Sequence, residues 1–199
     1  MSHVPKDTPF LPLSMAVLTV SDTRDFDQDG SGDLIRSSLV EAGHKLVERR
    51  IVPDDIYRIR AVVSCWVSRS DIQVIIVNGG TGFTPRDTTP EALMPLFDRT
   101  VDGYGELFRQ LSYHTIGTST IQSRAVAGVA NRTLIFTMPG SPKACATAWN
   151  GILAEQLDAR TRPCNFVAMV LPGSTPCATR QIVPSDAVAE AQCEPGDAL

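Results

Sequence analysis

Val74-Ile75-Ile76-Val77-Asn78-Gly79-Gly80-Thr81-Gly82-Phe83-Thr84-Pro85-Arg86-Asp87-Thr88-Thr89-Pro90-Glu91-Ala92 sets an apolar run directly before a glycine-rich turn and a new helix start. The run Val74 to Val77 reads as a strand buried on both faces. Glycines at the carboxyl end of such a strand let backbone N–H groups approach an anion, because no Cβ stands in the way. Arg86 adds charge-assisted hydrogen bonds to that anion, and Asp87 offers oxygen to a divalent cation. Alone, Gly-Gly-Thr-Gly is a tight strand-to-helix turn. The Arg-Asp pair and the Thr-Thr-Pro-Glu helix start that follow shift the reading toward a ligand site.

Outward from this segment the same alternation recurs. Residues 15–20, 45–52, 73–78 and 133–138 read as strands. Between them, Ser31 stands as N-cap of a helix with Leu34, Ile35, Ser38, Leu39 and Ala42 on one face, ended by Gly43. Pro53-Asp54-Asp55 opens a second helix whose buried stripe is Ile56, Ile59, Val62, Val63 and Trp66. Residues 90–97 and 105–114 read as two further helices. A last one runs from Ser141 as N-cap and Pro142 as first helical residue to about Leu157. Residues 117–131, rich in Gly, Ala, Ser and Thr, suit a close-packed helix and a ligand-lining loop equally. Alternating strands and helices predict an α/β fold with a mostly parallel central sheet and helices on both faces. The expected organisation is a flexible N-terminal arm at 1–13, one α/β domain over 14–166, and a disordered C-terminal tail at 167–199.

A chain of 199 residues suffices for one such domain, burying about 70% of its unfolded surface. A net charge of −4 provides no basic field to recruit nucleic acid or an acidic membrane, so an anionic ligand must be held by local donors. Aromatic content of 6% leaves no stacking platform for single strands. The longest clean apolar runs, at 15–18 and 74–77, fall far short of the ~20 residues of a membrane helix, and the N-terminus lacks a signal pattern. The five cysteines (65, 145, 164, 177 and 193) are odd in number with no paired short spacing, against a zinc ribbon or a disulfide framework. Scattered histidines at 3, 44 and 114 argue against a His-based metal site. A cytoplasmic home is expected. No Gly-x-x-x-x-Gly-Lys-Ser/Thr is present, no Gly-x-Gly-x-x-Gly follows a strand, and no Gly-x-Ser-x-Gly marks a hydrolase elbow.

Ligands of open parallel sheets bind at the carboxyl ends of the strands. Four turns are expected there: 21–24, which begins with Ser21, then 53–55, 79–87 and 139–143. Asp54 and Asp87 are the carboxylates to pair across the cleft. With phosphate oxygens they complete a Mg²⁺ shell, because that ion accepts few carboxylates and keeps substrate phosphates. Other readings stay open. Asp54 is equally a helix N-cap, a role Asp55 can exchange with it, and Asp87 equally pairs with Arg86 or caps the next helix. Gly140-Ser141 is a cap or a phosphate site, with Lys143 favouring the second. Ser123-Arg124 reaches the same anion or is solvated.

With these residues laid out, the chain resembles a known family. The segments are Thr19 to Arg24, Gly79 to Ala92, Gly117 to Val129, Met138 to Cys145, and Leu157 to Phe166 with its Asp158-Ala159-Arg160-Thr161-Arg162-Pro163-Cys164 run. Over about 14–166 they are similar to the molybdenum cofactor biosynthesis protein B (MoaB) family, within the wider MogA- and gephyrin-type molybdopterin-binding domains. The resemblance implies a three-layer sandwich that assembles as trimers or as hexamers of two trimers. It implies Mg²⁺-dependent transfer of AMP from ATP to the terminal phosphate of molybdopterin, releasing pyrophosphate. It places Asp54 and Asp87 at the metal and catalytic positions, and Gly79, Gly80, Thr81, Gly82 and Ser141 at the pterin and phosphate site. The alternative it carries is a non-catalytic paralogue that binds the pterin or assembles with other biosynthetic proteins of the pathway.

Overall fold

The computed structural model describes residues 7–171. Its strands are β1 (Ser14–Val20), β2 (Lys45–Val52), β3 (Val74–Asn78), β4 (Arg99–Thr100), β5 (Ala127–Ala130) and β6 (Thr133–Met138), joined as one sheet in the order β2-β1-β3-β6-β5-β4. The first four in that order are parallel, while β5 runs antiparallel to β6 and β4 antiparallel to β5.

The apolar strands divide by parity. Met15, Val17, Val74, Ile76, Leu134 and Phe136 face one core, with α1 (Gly30–Glu41) and α4 (Asp102–Ile116) packed on it. Ala16, Leu18, Ile75, Val77 and Ile135 face the other, under α2 (Ile56–Ser68) and α3 (Thr89–Leu93). Strands buried on both faces have no polar side to alternate, which is why they read as unbroken apolar runs. The layered α/β expectation therefore holds.

The chain completes the first layer with α5 (Pro142–Ala148), which continues through a π turn at Trp149–Leu153 into α6 (Ala154–Gln156). Ser141 caps it, accepting from Ala144 N–H at 3.2 Å. The cap of α1 is a correction. Asp29, not Ser31, accepts the Gly32 N–H, and the Ser31 hydroxyl instead donates to Gly140 O at 2.8 Å.

Both expected boundaries shift. Leu13 is fully buried and the Phe10 ring packs on His44, so part of the arm is anchored. Val167 and Val170 of α7 (Val167–Val170) belong to the core, which carries the domain past residue 166. Residues 1–6 of the expected arm and 172–199 of the expected tail lie outside the described residues. Among the described cysteines, Cys145 is buried and free and Cys164 is exposed and free.

Candidate functional site

The carboxyl ends of β1, β3 and β6 converge on glycines. Gly79 has φ +99°, and a Cβ there would stand 2.2 Å from Val20 O. Only glycine takes that conformation at so close an approach. On the other flank the position of a Gly140 Cβ is 3.1 Å from Gly79 Cα. Gly140 O is held by Ser31 and by Arg24 Nη1 at 2.9 Å, a residue the sequence reading placed in a turn without a task.

The two expected carboxylates lie along the next residues of the loop. A Cβ on Gly80, at φ +62°, would stand 2.5 Å from Asp54 Oδ2, and one on Gly82 2.8 Å from Asp87 Oδ2, so the glycines let both carboxylates close on the loop backbone. The buried Asp54 does not cap α2. Asp55 does so, accepting from Tyr57 and Arg58 N–H at 2.9 Å each. Asp54 Oδ1 instead accepts the Thr88 N–H at 3.0 Å and the Thr88 hydroxyl at 2.6 Å, tying the end of β2 to the loop after β3. Nothing local in the sequence singled out Thr88, which lies 34 residues away.

Asp87 Oδ2 accepts the Thr84 N–H at 2.8 Å and closes the loop on itself. Partial burial works to raise the Asp87 carboxyl, but hydrogen bonds from Thr84 and Gly82 and the charge of Arg124 hold it below the usual carboxylate value. It is therefore an anion near neutral pH.

The basic residues are placed differently from expectation. Arg86 is exposed and its fork spans both oxygens of Asp22, at 3.1 and 2.5 Å. Hydrogen bonding from Arg86, then from the Asp54 N–H, lowers the Asp22 carboxyl. Arg124 spends its guanidinium on Gly82 O, Asp87 O and Glu91 instead of an open anion site. Ser123 is not brought to the crevice. It lines a cavity of about 390 Å³ with Phe97, Glu106, Arg109, Ile121 and Arg124, where its hydroxyl is buried without a partner among the described residues. Ser21 accepts from Thr23 and Arg24 N–H and shapes its own turn, while Lys143 is exposed on the first turn of α5.

Beneath the loop runs a polar file that the sequence did not single out. Asn78 Nδ2 donates to Thr19 Oγ1 at 2.9 Å, the Thr19 hydroxyl donates to Asp29 at 2.6 Å, and Asp29 pairs with Arg49 at 2.8 Å. It joins the ends of β1 and β3, through Asp29, to the middle of β2.

Two carboxylates therefore close on the backbone of the glycine loop. Among the described residues no group of three or more His, Cys, Asp or Glu is gathered to hold a metal. That donor set suits an ion that takes part of its shell from a phosphate. Burial pushes the neighbouring Cys145 thiol up to about 12.

Fold and crevice together define an α/β domain with a glycine loop and two carboxylates at the carboxyl ends of its parallel strands. The family described as "Probable molybdopterin binding domain" matches residues 16–159. Molybdenum cofactor biosynthesis protein B of Escherichia coli K12 is 60% identical over 166 residues, covering 83% of this chain and 96% of that protein. A crystal structure of a molybdenum cofactor biosynthesis protein B aligns at a TM-score of 0.72, with 41% identity over 74% of this chain and 92% of the other. The tungsten cofactor synthesizing protein MoaB from Pyrococcus furiosus aligns at 0.66, with 34% identity over 72% and 92%. The chain belongs to the MoaB family of molybdopterin-binding domains.

Proposed function

We propose that this protein acts in molybdenum cofactor biosynthesis by transferring AMP from ATP to the terminal phosphate of molybdopterin in the presence of Mg²⁺. The observation that carries the reading is the placement of Asp54 and Asp87 against the positions that Cβ atoms of Gly80 and Gly82 would fill. The glycines let both carboxylates approach the loop backbone after the third strand, and the reaction needs negative charge gathered there to recruit the cation.

Asp54 and Asp87 would hold Mg²⁺, each offering the oxygen not already spent on Thr88 or Thr84. When bound, the ion offsets charge on the phosphate oxygens as the bond to pyrophosphate breaks. The protein's own task is positioning. Gly80 and Thr81 present backbone N–H groups, since those of Gly79 and Gly82 are taken by Met138 O and Asp87, Ser141 and Lys143 border the phosphate end, and Arg86 exchanges Asp22 for a phosphate oxygen.

The test is product formation from molybdopterin, ATP and Mg²⁺ by the purified chain. Asp87→Asn should lower the rate by about 10²-fold or more, with pterin binding retained. An unchanged rate would overturn the role of Asp87. A second reading, a non-catalytic member that binds the pterin or assembles with other proteins of the pathway, draws on Arg86 and Arg124 both being engaged by protein groups. Tight binding without turnover would decide for it.

Assembly as trimers or hexamers belongs to the same proposal. It is supported by exposed Leu107, Tyr113 and Ile116 on α4 and by Ile121 just beyond it, at 72% exposure. A cytoplasmic site of action goes with it, and no helix of the described residues is long and apolar enough to cross a membrane.

A further inference from the structure

Arg124 sits on the strand-entry segment before β5, 37 residues in sequence from Asp87, yet it grips the acidic loop on both sides of its tip. Its Nε donates to Gly82 O at 2.7 Å and its Nη2 to Asp87 O at 2.6 Å. The backbone N–H of Arg124 donates to Thr81 O at 3.1 Å. Nη1 pairs with Glu91 on α3, and the Phe83 ring covers the guanidinium at 5.1 Å.

The geometry points to Arg124 as the positioning residue that sets where Asp87 presents its carboxylate, acting through the loop's main chain and not through contact with the ligand. The inference rests on the reading of Asp87 as the cation-facing group.

The loop needs such a clasp. Residues 79–88 belong to no helix or strand, and the Thr84–Asp87 bonds close only the tip. The other tie of the tip, Arg86 to Asp22, is solvent-exposed and therefore weak. Gly82 N–H reaches the Asp87 carboxyl directly, and Arg124 adds the tie between the main-chain carbonyls of the two limbs, Gly82 O and Asp87 O, with a side chain only 22% exposed. A guanidinium has donors in fixed fork geometry, so one group reaches two carbonyls that diverge around a turn. The single ammonium of a lysine has no second arm to do so. With Nε, Nη1 and Nη2 committed and a ring over one face, an incoming phosphate would have to break the clasp to reach this charge.

The test uses the full chain with Arg124→Gln, Arg124→Lys and Glu91→Gln. In the ligand-free protein, amide hydrogen exchange at Thr84 and Asp87 should accelerate about tenfold in Arg124→Gln and about as much in Arg124→Lys. The Thr89 amide, held by Gly80 O, should stay protected. Glu91→Gln, which keeps the clasp and removes only its counter-ion, should show the smaller acceleration and covers the case of an unfolded Arg124 variant. In the transfer assay, Arg124→Gln should raise the Mg²⁺ concentration for half-maximal rate by about tenfold with pterin affinity within about twofold. Adding it to Asp87→Asn should cause no further loss. Unchanged exchange at Thr84 and Asp87 overturns the inference, as does a loss of pterin affinity at unchanged Mg²⁺ dependence. If the parent chain makes no product, the proposed activity fails, while the exchange measurements still decide on the clasp.

Discussion

Gly80→Ala probes how tightly the glycine loop and Asp54 are coupled. The residue sits at φ +62°, where an alanine costs about 1–2 kcal/mol. Its new methyl would also stand 2.4 Å from Thr89 Oγ1 and 2.5 Å from Asp54 Oδ2, far inside contact distance. Thr89 is buried and its hydroxyl is engaged by Gly79 O at 2.9 Å, so Asp54 is the group that must yield. Turning that carboxyl forfeits its two bonds from Thr88, at about 1 kcal/mol each. The sum is roughly 3–4 kcal/mol of lost stability. Displacing the carboxylate by about 1 Å should also lower transfer by about 10²-fold.

The assay is denaturant unfolding at one fixed protein concentration, because self-association would otherwise shift the midpoint. Gly103→Ala is the control: nothing lies within 4 Å of its Cβ position inside α4, so it should be neutral or stabilise by about 1 kcal/mol. A Gly80→Ala protein within about 1 kcal/mol of the parent, with full transfer activity, would refute the coupling.

Asp29→Ala should cost about 3–5 kcal/mol, because it removes the α1 cap and leaves the mostly buried Arg49 with only Asp33 as its acidic partner. A midpoint shift worth less than about 1 kcal/mol would show that the file beneath Gly79 carries little stability. The same residue gives an acid signature. Burial works to raise the Asp29 carboxyl, but Arg49, Thr19 and the Gly32 N–H hold it below its usual 3.8. A depressed folded value means the stabilisation is fully present above the unfolded value of 3.8 and is lost as pH falls through the folded one. Unfolding midpoints measured from neutral pH downward should therefore stay level and then drop below about pH 4, with a shallower drop in Asp29→Asn.

Much of the scaffold was legible because it is local. The runs at 15–20, 74–78 and 133–138 are apolar without alternation, a pattern that only a sheet covered on both faces requires. The hairpin of β5 and β6 escaped for an equally local reason. Its two-residue turn uses Asn131 and Arg132 at φ +44° and +67°, where a glycine would have signalled it. Its first strand is Ala-Gly-Val-Ala because the Phe97 ring occupies the space over Gly128. Small residues chosen for a neighbour's ring carry no strand propensity.

The chain itself determined a parallel α/β sheet, a glycine turn after its third strand and acidic residues in the loops around it, since each follows from spacing within about a dozen residues. Tertiary structure decided what those residues do. It gave the cap of α2 to Asp55 and thereby released Asp54 to Thr88, it set Asp22 against Arg86, and it turned Arg124 from a free cation into a clasp. Apart from the local Asp55 cap, those partners lie 34 to 64 residues apart in sequence. A hydrogen bond is won by whichever group the packed core brings within 3 Å, and no local pattern records that outcome.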